Sequence, residues 1–197
     1  MLIPAVSKLK LPECIIALPR GGAEVAYPIA QWLKLPVFLH YCRKLRSPSN
    51  PELAFGAIDQ FGKVALNQDL IQELGISQSY IEQEIQYQQE DIKKRILKYG
   101  AETTGIEGKH CLLIDDGIAT GYTMLSACQS LLAQNAKVTV VVPVTSASAY
   151  QKIQQQCNII YLINDPNLSA IGQYYKDFPQ TSDQSVHQII LETHHNN

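Results

Sequence analysis

No apolar run in this chain approaches the length of a membrane span, and its first residues lack the hydrophobic core of a signal peptide. Charge is also scarce, at 17% of residues with a formal net charge of −2. That balance argues against nonspecific nucleic-acid binding as the main activity, and no basic, aromatic-rich stripe suggests RNA. Cysteines are few: Cys14, Cys42, Cys111, Cys128 and Cys157 form an odd set without a C-x-x-C pair. No Cys and His spacing suits zinc, and the cysteines read as reduced core residues of a cytoplasmic protein. Two common phosphate loops are missing as well. There is no G-x-x-x-x-G-K-[ST], and no G-x-G-x-x-G follows a strand. Internal repeats and low-complexity linkers are absent. What remains is 197 residues, 46% of them hydrophobic, enough for one globular domain with a sheet covered on both faces.

The most informative stretch runs from Cys111 to Met124, C-L-L-I-D-D-G-I-A-T-G-Y-T-M. Four apolar residues lead into Asp115 and Asp116, so a buried strand delivers two carboxylates to its carboxyl end, where open α/β sheets bind ligands. Gly117, Ile118, Ala119, Thr120, Gly121, Tyr122 and Thr123 then form a loop before an apolar helix. Backbone N–H groups at such a helix start suit a phosphate. Adjacent carboxylates repel unless something cationic offsets them, which favours a ligand over a bare turn. Carboxylates for ribose hydroxyls or a metal, beside a phosphate cradle, describe a site for a phosphorylated sugar.

The rest of the chain alternates strand and helix. Cys14–Leu18 reads as a strand, about 23–34 as a helix, and Pro36–Tyr41 as a second strand closing a right-handed parallel βαβ unit. Ser47-Pro48-Ser49-Asn50-Pro51 cannot be regular structure. Ala54–Ile58 and Lys63–Leu66 suggest a hairpin around Gly62. Ser79 with Glu82 forms a capping-box pattern, followed by Ile81, Ile85, Ile92 and Ile96 at helical spacing. That narrow stripe is expected to pack on its own domain or on a partner subunit, which makes a homodimer possible. A helix over 125–133, a strongly β-branched strand at Lys137–Val144, a helix at 147–155, a strand at Ile159–Ile163 and a last helix from Ser182 complete a three-layer α/β order. His194-His195 is expected in a frayed polar tail, and His40 and His110 are expected to be structural.

Leu18-Pro19-Arg20-Gly21-Gly22 also lies at a strand end before a helix. Glycines let the backbone approach closely and Arg binds phosphate oxygens in pairs, so Arg20, Gly21 and Gly22 suit a diphosphate. Glu52 is the only acid between Arg43 and Asp59 and is a candidate contact to a nucleophile.

An apolar strand, two acids and a loop ending T-G-x-T together resemble the phosphoribosyl-diphosphate signature of type I phosphoribosyltransferases. L-P-R-G-G, R-K-L, N-P-E-L-A-F-G-A-I and the closing G-Q-Y-Y-K-D-F-P-Q-T-S-D narrow the resemblance to bacterial members of unassigned acceptor. It runs from about residue 15 to the last helix. It implies a three-layer parallel sheet with a small lid, the lid lying within residues 45–108 of a single domain spanning 1–197. It implies that Asp115 and Asp116 contact the ribose hydroxyls and Mg²⁺, and that residues 117–123 hold the 5-phosphate. A cis peptide is implied before Arg20, Arg43 and Lys44 are implied to meet the diphosphate, and residues 45–63 are implied to be a mobile catalytic loop. Members carry an extra segment ahead of the first strand that this chain mostly lacks, so either the start is shortened or the lid is built differently. Ala119 stands where 6-oxopurine enzymes carry an Asp, and so resembles the adenine enzymes.

The expected reaction is transfer of phosphoribosyl from phosphoribosyl diphosphate to a nitrogen nucleophile such as a nucleobase, with Mg²⁺ and release of diphosphate. The alternatives are a nucleotide-sensing regulator on the same fold and a ribose-phosphate phosphorylase or hydrolase.

Overall fold

The computed structural model describes residues 2–9, 12–51, 53–100 and 103–195. In chain order the elements are α1 (Ile3–Val6), β1 (Cys14–Ala17), α2 (Gly21–Leu33), β2 (Val37–Leu39), β3 (Cys42–Arg46), β4 (Ala54–Asp59) and β5 (Val64–Leu66). There follow α3 (Gln68–Glu73), α4 (Gln78–Tyr99), β6 (His110–Ile114), α5 (Tyr122–Ala133), β7 (Lys137–Ser146), α6 (Ala147–Gln154), β8 (Asn158–Asp165), a 3₁₀ turn (Ile171–Tyr174) and α7 (Asp183–His195).

Five strands form a parallel sheet in the order β2-β1-β6-β7-β8. The middles of the central strands are apolar because both faces are covered there. Side chains alternate between those faces. Ile15, Ala17, Leu112 and Ile114 pack with Ala26, Ile29, Val186 and Ile189 of α2 and α7. Ile16, Cys111, Leu113 and Val140 pack with Met124, Ala127, Leu131 of α5 and Ile153 of α6. The result is the expected three-layer α/β fold, with β1, β6 and β7 at its centre. The carboxyl ends of β1 and β6 lie side by side, with Ala17 opposite Ile114.

A second, antiparallel sheet, β3-β4-β5, lies against α5 and α4. The β4–β5 hairpin turns through Gly62, at φ +79°, as expected. Strand β3 was not expected, because its charged sequence C-R-K-L-R reads as a strand end. Leu45 is nevertheless fully buried, and β3 pairs along β4. Much of the stretch expected as a mobile loop over 45–63 is therefore sheet, and only 47–53 among its described residues precede β4 as irregular chain. Behind this sheet, buried His40 places Nε2 3.3 Å from Oδ2 of buried Asp59. The other oxygen, Asp59 Oδ1, accepts from the amides of Phe61 and Lys63 at 3.0 and 2.8 Å, fixing the hairpin turn.

Helix α4 starts one turn-signal earlier than expected. Ser77, not Ser79, is its N-cap, and its Oγ accepts from the Tyr80 amide at 3.3 Å. Ile81 and Ile92 are buried and Ile85 and Ile96 are partly buried against the main core, so the stripe packs on its own chain. The two C-terminal histidines are also more ordered than expected. His194 and His195 lie within α7, and His194 Nε2 meets the Val37 carbonyl oxygen at 2.9 Å. Among the described residues, no helix is long and apolar enough to cross a membrane.

Candidate active site

Strand β6 ends by presenting Asp115 and Asp116, both half-buried, at the carboxyl edge of the sheet. Burial raises the pKa of Asp115 well above the ordinary carboxylate range, and the neighbouring Asp116 charge raises it further. Burial also raises that of Asp116. Both groups therefore gain from a cation or from hydroxyl donors placed against them.

The following loop is tied down by its carbonyls. Those of Ile118, Ala119 and Thr120 accept from the Ser146 amide (2.9 Å), Ser146 Oγ (2.5 Å) and Lys152 Nζ (3.0 Å). The amides of residues 119–123 have no hydrogen-bond partner among the described residues. Gly121, at φ +86°, makes the left-handed turn that starts α5. Carbonyls held outward and amides left free form an anion cradle at a helix N-terminus.

Asp115, Asp116, residues 117–121 and Thr123 line one cavity of 710 Å³, and Arg43, Lys44 and Arg46 of β3 line it too. Thus most of the residues expected from sequence come together, with the basic pair delivered by a strand. Arg43 is steadied from behind, its Nε 2.8 Å from Asp91 Oδ2 and 3.2 Å from Gln88 Oε1 on α4. Tyr122 is an exception. Its ring lies under Lys152 Nζ, 4.2 Å from the ring centre, and not on the cavity wall.

The Arg20 loop meets the acidic pair directly. A Cβ on Gly21 would fall 1.9 Å from Asp116 Oδ2, and one on Gly22 would fall 2.6 Å from the Ile114 carbonyl oxygen. Only glycine permits this approach. The Pro19–Arg20 peptide is cis, as the resemblance implied. The Arg20 side chain, however, does not line the first cavity. It borders a second cavity of 880 Å³ and turns to Asp183 on α7, with Nη1 3.2 Å from Oδ1. Glu52 lies outside the described residues.

Several site residues had no assignment from sequence. The second cavity is walled by Tyr175, Phe178 and Gln180, and shares Asp116 and Gln180 with the first. Tyr175 Oη donates to the Asp116 carbonyl oxygen at 2.6 Å, and its ring lies 4.8 Å from that of Phe178. Ile171 packs on the loop of residues 117–123 so closely that a Cβ on Gly117 would fall 2.7 Å from its Cδ1. The closing sequence motif contained Tyr175, Phe178 and Gln180, with Ile171 just ahead of it, but nothing in its spacing showed which would turn toward Asp116. No group of three or more His, Cys, Asp or Glu suited to a metal occurs among the described residues.

A parallel α/β sheet with an acidic pair and an amide cradle at its carboxyl edge is the layout of the type I phosphoribosyltransferases. The chain belongs to the phosphoribosyl transferase domain family, a family of transferases, whose sequence model matches residues 11–177. The Mycobacterium tuberculosis protein Rv0571c, provisionally named a phosphoribosyl transferase, is 33% identical over 184 residues, 91% of this chain and 42% of that protein. The chain thus spans less than half the length of that relative. Among solved structures, TT1426 from Thermus thermophilus is 32% identical with a TM-score of 0.77, covering 97% of this chain and 91% of that one. Adenine phosphoribosyltransferase from Thermoanaerobacter pseudethanolicus shares the fold at 12% identity and a TM-score of 0.50, covering 83% of this chain and 76% of that one.

Proposed function

We propose that this protein transfers a phosphoribosyl group from phosphoribosyl diphosphate to a nitrogen nucleophile, releasing diphosphate. One observation carries the reading: two carboxylates, a free-amide cradle and the cationic side of β3 face a single cavity. In this reading residues 117–121 and Thr123 anchor the 5-phosphate, far from the bond that breaks, and contribute orientation. Asp115 and Asp116 hold the ribose hydroxyls and balance the positive charge that develops on the ring. Arg43, Lys44 and Arg46 stabilise the negative charge that builds on the leaving diphosphate.

Mg²⁺ fits this donor set as a substrate-borne ion. Two adjacent carboxylates of weakened acidity welcome a divalent cation, but they cannot cage it without substrate oxygens. Bound there by Asp115 or Asp116, it would supply further neutralisation of phosphate charge. The acceptor enters the second cavity, where the Tyr175 and Phe178 rings offer flat apolar surface to a planar base. That cavity opens on Asp116, the carboxylate shared with the sugar site.

The test is diphosphate release from phosphoribosyl diphosphate with Mg²⁺ and a panel of nucleobases. A base-dependent release, lost in Asp116→Asn, is the expected result. Binding of nucleoside monophosphates without release for any base would support a sensor in place of an enzyme.

A further inference from the structure

The side chain of Asp183 sits in a cavity whose cationic groups outnumber its acids. Its two oxygens accept from Arg20 Nη1, just ahead of α2, and from Lys98 Nζ and Tyr99 Oη at the end of α4. The surrounding cavity, of 290 Å³, adds Lys94 and Arg95 to Arg20 and Lys98, against only Asp91 and Asp183. Asp91 is already engaged by Arg43 and Arg95, each at 2.8 Å, while Lys94 forms no ion pair among the described residues. Four cations against two acids leave an excess of positive charge around a space that one small carboxylate does not fill. Asp183 also opens the 13-residue helix α7, whose N-terminus favours negative charge of any origin. The hydrogen bonds from Lys98 and Tyr99 depress its pKa well below the ordinary range, so it is ionised at neutral pH.

The location gives the cradle a ligand. Arg20 also borders the second cavity, and the next residue, Gly21, abuts Asp116 of the sugar site. The cradle also adjoins the cationic strand assigned to the leaving group, because its Asp91 pairs with Arg43 of β3, and that leaving group is a diphosphate. We propose that Lys98 and Tyr99 are diphosphate-binding residues, and that Asp183 is an internal anion which the diphosphate displaces from Arg20, Lys98 and Tyr99. The proposal rests on the transferase reading for the identity of the anion, and on the cradle geometry for its existence. No bond is made or broken; one anion replaces another on the same donors.

The experiment is calorimetric titration with inorganic diphosphate and, separately, adenosine 5-monophosphate. Asp183→Asn removes the competing charge and should bind diphosphate at least about 3-fold more tightly than the parent. Lys98→Met should lose about 10-fold or more, the usual effect of deleting a charge-assisted contact. Tyr99→Phe removes a single hydroxyl and should lose about 2- to 5-fold, in the range of one hydrogen bond. Monophosphate affinity should stay within 2-fold in all three, since that ligand is held at residues 117–123. Equal or weaker diphosphate binding in Asp183→Asn, no binding to either protein, or parallel loss of both ligands in Lys98→Met and Tyr99→Phe would each overturn the proposal. If monophosphate fails to bind while diphosphate still responds to Asp183→Asn, the cradle stands and the transferase reading falls.

Discussion

Asp115 is placed where a carboxylate is least comfortable, half-buried beside a second acid, and this has a measurable cost. Its folded pKa is raised, so the stability it allows is complete below the unfolded value near 3.8 and is lost as pH rises through the folded value. Asp115→Asn should therefore melt at higher temperature than the parent in the absence of ligand, with the gap opening as pH rises above 4. For a chain of this size each 1 kcal/mol relieved is worth about 2–4 °C. The same variant should lose the extra stabilisation given by phosphoribosyl diphosphate with Mg²⁺. A lower melting point for the ligand-free variant at pH 7 would refute the account. Lys152 acts differently, by holding the Thr120 carbonyl away from the cradle. Lys152→Met should weaken adenosine 5-monophosphate binding by about 2- to 10-fold, the range of one hydrogen bond, and leave inorganic diphosphate binding unchanged. Residues 111–124 were legible in the sequence because strand, acids and loop are consecutive, so local geometry alone gathers them. Tyr175, Phe178 and Asp183 were not, because only packing after β8 brings them to Asp116 and Arg20.

Among the elements, α4 and β3 depart most from expectation, and for related reasons. Strand β3 hides its character behind charges because its outer side chains face a cavity and a helix instead of bulk water. Leu45 is the one apolar clue, and Arg43 is satisfied by Gln88 and Asp91 of α4. The α4 stripe is narrow because it needs to cover only the flank of a small antiparallel sheet. Ile92, 2% exposed, lies in that contact. Ile92→Ser should therefore reduce folding stability by roughly 3 kcal/mol, as expected for truncating a buried aliphatic side chain. Urea denaturation reads the loss, and sedimentation velocity should give the same oligomeric state before and after. A change in association with unchanged stability would instead make the stripe a subunit interface. The hairpin and the parallel strands were easier to recognise. Gly62 marks the turn, and β1, β6 and β7 each carry a run of apolar residues, as strands covered on both faces do.

Over the whole molecule, the layers set how each region meets reagents from solution. The acidic edge, the cationic strand and the segment after β8 converge on one rim of the sheet, while the opposite ends of the strands carry no comparable cluster among the described cavities. The free cysteines follow the same division. Cys14, Cys111, Cys128 and Cys157 are buried in the packed layer between sheet and helices, whereas Cys42 lies on the wall of the cavity that holds Asp115 and Asp116. Burial, with Asp59 and Asp115 nearby, keeps the Cys42 thiol protonated and slow to react. The protein thus carries a two-speed chemical clock. A thiol reagent should modify a single sulfur first, at a rate that bound adenosine 5-monophosphate slows at least several-fold. The remaining four should be modified together, at the pace of global opening. Mass spectrometry against time then reports cavity occupancy and unfolding in one sample, without any added label.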